Sequence, residues 1–62
     1  MNVVELRDAA SGELYRVHPD DVTLITENGA DGISCVVTLA GKQLIVQGTT
    51  AELLKQISEA VR

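Results

Sequence analysis

His18 is the one imidazole in a chain of 62 residues, and it stands beside Asp20 and Asp21. A histidine that titrates near neutral pH, held by a carboxylate, is the pairing that general-base chemistry uses. No Ser or Cys nucleophile lies near it in sequence, and a His directly before Pro19 fits an exposed turn better than a catalytic pocket. Cys35 is the single cysteine. Alternation with Val37 and Leu39 places it among inward-facing residues, where a thiol behaves as a small, inert hydrophobe. Asp8, Asp20, Asp21 and Asp31 offer oxygen ligands for a hard cation, but their spacing does not match the regular calcium-binding loop, and they serve first as turn formers. Gly41-Lys42 lacks the second glycine and the Ser or Thr of a phosphate-binding loop. The sequence therefore points to no catalytic residue, no cofactor and no metal, and to a chain that is not an enzyme.

Composition narrows the remaining classes. One cysteine forbids an intrachain disulfide, and one Cys with one His cannot make the usual zinc site. Five Lys and Arg against nine Asp and Glu give a formal charge of -4, which repels a phosphate backbone. With no Phe or Trp and one Tyr, the chain also lacks the stacking platform of single-strand binders, so nucleic acid is not an expected partner. No run of about 18 apolar residues is present, and Met1 to Leu6 has no signal-peptide pattern, so the expectation is a cytoplasmic protein without membrane insertion. A chain this short removes only roughly 60% of its unfolded surface from water. Without disulfide or metal, association with another chain is the remaining source of stability.

Those residues must be positioned by short, well-punctuated elements. No linker or repeat interrupts residues 1–62, which read as a single domain. Val3 to Asp8 and Leu14 to His18 flank the loop Ala9-Ala10-Ser11-Gly12-Glu13 as a first hairpin. His18-Pro19-Asp20-Asp21 turns the chain into a third strand, Val22 to Glu27, and Asn28 to Gly32 forms a loop. Ile33 to Ala40 and Gln43 to Gln47 flank Gly41-Lys42, which suits a two-residue hairpin with Gly at its first central position. That turn pairs Leu39 with Leu44 and Val37 with Val46, placing Cys35, Val37, Leu39, Leu44 and Val46 on one face. Thr49-Thr50-Ala51-Glu52 is a capping box, and Leu53, Leu54, Ile57, Ala60 and Val61 then form an apolar stripe opposite Lys55, Gln56, Ser58, Glu59 and Arg62. The expected fold is α+β: an antiparallel meander of about five short strands, followed by one C-terminal amphipathic helix packed on one sheet face.

The same alternation sends Val4, Leu6, Tyr15, Val17, Val22 and Leu24 inward. It leaves Val3, Leu14, Ile25, Val36 and Ile45 on the face away from the helix. Five large aliphatic side chains make a patch of the kind that marks a contact site. This set is the expected interface, serving a homo-oligomer, with a dimer as the simplest closed form. An unprotected sheet edge is the other surface that such association can use.

Gly12-Glu13-Leu14-Tyr15-Arg16-Val17, Asp20 to Ile25, Val37 to Val46 and Thr50 to Leu54 together resemble the small flagellar FlbD-like family of bacterial proteins. Small phage and prophage proteins of unknown role share this layout. The chain departs from the family pattern at Ser11, where an Asn usually precedes the glycine, and in the loop Asn28 to Gly32, where a short Pro-Asp turn is usual. The resemblance implies strands followed by a C-terminal helix and a motility-associated accessory role without catalytic residues. Two functions follow for testing. One is a non-enzymatic protein-protein interaction module that self-associates through an apolar sheet face and docks a protein partner. The other is an acidic phage- or host-encoded regulator or inhibitor that occupies a basic groove on its target.

Overall fold

Apolar residues at every second position make the first hairpin, and its register follows from them. A computed structural model of the chain describes residues 3–29 and 31–61, so Met1, Ala30 of the third loop and Arg62 of the expected helix polar face lie outside the described residues. Strand β1 (Val4–Arg7) pairs antiparallel with β2 (Leu14–Val17), setting Val4 opposite Val17 and Leu6 opposite Tyr15. Val4 and Leu6 are buried, with Tyr15 and Val17 packed against them, as their alternation predicts. Pro19–Asp21 then forms a single turn of 3-10 helix that leads into β3 (Val22–Glu27).

Strands β3, β4 (Ile33–Thr38) and β5 (Gln43–Gln47) make a second antiparallel sheet in sequential order. The chain is thus α+β: the described residues form five strands, divided into a two-stranded and a three-stranded sheet, and one α-helix after them. No ladder joins β2 to β3; the two sheets meet instead where Asp8 bridges Val46 and the Ala9 amide donates to the Ile45 carbonyl at 3.0 Å.

The β4–β5 turn differs from its expected form, and the difference exchanges the faces of β4. The Gly41 amide donates to the Thr38 carbonyl at 2.8 Å, and the Thr38 amide donates to the Lys42 carbonyl at 3.0 Å. These bonds close a three-residue loop, Leu39-Ala40-Gly41, whose last position is left-handed with φ 81° at Gly41. Gly41 therefore ends the turn instead of opening it. Val36 pairs with Leu44 and Cys35 with Ile45, three residues out of the expected register. Because side chains alternate with period two, an odd shift turns β4 over. Val36 is fully enclosed, at 0% exposure, while Cys35 and Val37 face outward and Leu39 sits at the loop tip, 68% exposed.

A second irregularity resets β3. The register shifts between Val22 and Leu24, so Thr23 is the extra residue of a bulge, and its hydroxyl donates to the Val37 carbonyl at 3.0 Å. Val22 faces inward before the bulge and Ile25 after it, whereas Leu24 turns outward.

Helix α1 (Thr50–Ala60) starts where the capping box places it. The Glu52 amide donates to Thr49 Oγ1 at 3.1 Å, and Glu52 Oε1 accepts from the Thr49 amide at 3.1 Å. Leu53 is buried, and Ile57 and Ala60 pack beside it, so the helix closes the core against β1 and β3. The apolar stripe is narrower than expected: Leu54 and Val61 remain exposed. The core comprises Val4, Leu6, Val36, Leu44, Val46 and Leu53. One polar side chain, Ser34, shares it, and its hydroxyl donates to the Gly48 carbonyl at 2.7 Å.

Candidate functional site

Three places were candidates for chemistry or contact: the aspartate-rich turns, the region of His18 and the outer surface of the sheet. Asp8 organises the first. Its Oδ2 accepts from the Ala10 amide at 2.9 Å, the Ser11 amide at 2.8 Å and the Ser11 hydroxyl at 3.1 Å, while Oδ1 accepts from the Tyr15 hydroxyl at 3.0 Å. The Ser11 amide, then the Tyr15 hydroxyl, hold the Asp8 carboxyl below its ordinary value, and the bond to ionised Asp8 raises the Tyr15 phenol. Every donor here is local to the loop or to β2, so the carboxylate is occupied in shaping the hairpin. Among the described residues, no group of three or more His, Cys, Asp or Glu side chains is placed to hold a metal ion.

His18 precedes the 3-10 turn with extended backbone, is exposed, and does not cap the turn with its side chain. It lines a shallow depression with Arg16, Asp21, Thr38 and Leu39. Arg16 is already engaged, its Nε lying 3.3 Å from Glu5 Oε2 across the β1–β2 pair.

The residues expected to form the interface do not share one surface. Val36 lies in the core, because of the three-residue turn, and Ile25 packs against the core, because of the bulge. Val3, 42% exposed, borders the groove between β1 and α1, and Leu14, 41% exposed, points away from the core on β2. Ile45 alone of the five lies on the outer face of the three-stranded sheet.

That outer face is nonetheless apolar, with different members. The observed registers place Leu24 and Thr26 of β3, Ile33, Cys35 and Val37 of β4, and Gln43, Ile45 and Gln47 of β5 on it. Leu24 is 53% exposed, and Ile33, Cys35, Val37 and Ile45 are half-buried. None of these residues carries a charge, in a chain where 23% of residues do. The helix lies on the opposite side, with the core. Sequence reasoning missed Leu24, Ile33, Cys35 and Val37. One signal bears on the β4 residues, since Gly41 also fits the end of a three-residue turn, whereas the bulge that turns Leu24 outward has none. No family model, curated protein or solved structure matches this chain.

Proposed function

We propose that this chain is a non-enzymatic protein-contact module that self-associates, and that the outer face of its three-stranded sheet is the contact surface. The observation carrying this reading is the uncharged set Leu24, Ile33, Cys35, Val37 and Ile45, over which no helix or strand among the described residues packs. Depletion of charge is what distinguishes the centre of a protein interface from ordinary surface. A second copy suits such a face because residues near a two-fold axis meet their own equivalents, and like charges there would repel. A basic partner would seek carboxylates, and this face has none. The FlbD-like resemblance agrees with an accessory role of this kind, inside the cell and without a cofactor. Light scattering of the wild type and of Leu24→Glu, at low and raised ionic strength, tests the reading. Assembly of the wild type that does not weaken with salt, and is lost in Leu24→Glu, supports it. A wild-type assembly that dissolves as salt rises points to an acid-base contact elsewhere and overturns it.

A further inference from the structure

The outer face alone is small. Three strands about 4.8 Å apart and some five residues long present a footprint of roughly 250 Å² in plan. A standard interface buries about 800 Å² per partner, so face packing by itself gives weak association. A second contact is available at β3, which ends its sheet.

The bond phase along β3 fixes which backbone groups are free. The Asn28 amide donates to the Ile33 carbonyl at 3.2 Å, on the same diagonal as the pairs Thr26 with Cys35 and Leu24 with Val37. Antiparallel pairs alternate between bonded and unbonded positions. The N–H and C=O groups of Leu24 and Thr26 therefore point to β4, and those of Ile25 and Glu27 point away from it. No backbone partner for Ile25 or Glu27 on that outer side occurs among the described residues. Although β3 is one of the two longest strands, none of its residues is fully buried. Its sequence, Val-Thr-Leu-Ile-Thr-Glu, has neither Lys nor Pro to blunt the edge.

We infer that β3 pairs antiparallel with β3 of a second copy, about a two-fold axis at Ile25. This inference rests on the self-association proposed above and adds an edge contact to the face contact, so that each doubled face is the surface a further pair covers. In this register Ile25 exchanges two backbone hydrogen bonds with its own equivalent. Thr26 lies opposite Leu24 of the second copy, and Glu27 lies opposite Thr23, so the strand's one charge does not meet itself. The pair forms a continuous six-stranded sheet, and its two uncharged outer faces merge into one surface of twice the area.

Amide exchange by NMR on the full chain, from micromolar to millimolar concentration, tests the inference, read beside the mass at each point. Pairing slows the Ile25 and Glu27 amides by about tenfold or more as concentration rises. The Leu24 and Thr26 amides, already bonded to β4, are protected throughout. Glu27→Pro removes one outward donor without touching the β4 ladder, a substitution that edge strands accommodate, and it keeps the Ile25 amide fast at every concentration. Assembly with unprotected Ile25 and Glu27 amides overturns the edge pairing while leaving face-mediated association standing. A monomer at every concentration overturns both. The wild-type exchange is decisive even where the proline variant does not fold.

Discussion

Asp8 ties the first hairpin together, because its two oxygens serve the loop and the neighbouring strand at once. Its lowered pKa has a thermodynamic counterpart. The unfolded carboxyl takes up a proton near its ordinary value of 3.8 while the folded one still resists it. Stability from this group is therefore complete above about pH 4 and is lost as pH falls through the folded value. Glu52 adds to the same acid limb, since the Thr49 amide and hydroxyl lower its pKa. Tyr15 has the opposite sign: its phenol is raised above 10.0, so stability declines as pH rises past that value. Urea midpoints measured from pH 2 to 7 should fall on the acid side, and Asp8→Asn should flatten that fall while lowering the midpoint at neutral pH. Ser34→Ala strands the Gly48 carbonyl and should cost about 1 kcal/mol in the same assay.

At the scale of elements, two small devices decide which residues face the core. The three-residue turn ending at Gly41 turns β4 over relative to a two-residue turn, and the Thr23 bulge turns the rest of β3 over. Chemical denaturation should then separate neighbours sharply. Val36→Ala should cost about 2 kcal/mol through lost burial and a residual cavity, while Val37→Ala should cost well under half of that. Equal losses would contradict the observed register. Gly41→Ala forces a Cβ into the left-handed region and should cost about 1 kcal/mol, as should Thr49→Ala through its lost cap. These devices also explain what was legible beforehand. The inward set Val4, Leu6, Tyr15, Val17 and Val22 was readable because β1 and β2 alternate without interruption, and the helix start because Thr49 and Glu52 name their own geometry. Leu24 was misplaced because a bulge leaves no mark in a run of Val, Thr, Leu and Ile, all strand formers. Cys35 and Val37 were misplaced because Gly in the left-handed region closes more than one hairpin type, and turns of different length reverse the face of the strand before them. Apolar residues outnumber what one helix covers, but which of them lie on the outer sheet face depends on those two local geometries.

For the whole molecule, the governing fact is scarcity of interior. Among the described residues six buried hydrophobic side chains form the core, and the single cysteine of the 62-residue chain allows no internal disulfide to restrain its unfolded state. No helix among the described residues is long and apolar enough to cross a membrane. Covering Leu24, Val37 and Ile45 with a second copy adds stability that depends on concentration, and thermal midpoints should rise as the chain is concentrated. Sedimentation equilibrium of the wild type beside Val37→Glu, with the fold of each checked by circular dichroism, addresses this most directly. The wild type should exceed the 6.6 kDa of one chain increasingly with concentration, while folded Val37→Glu, which keeps the β3 edge but loses the face contact, assembles less at every concentration. A wild type fixed at 6.6 kDa into the millimolar range, or a folded Val37→Glu that assembles equally well, would remove the outer sheet face as the contact surface.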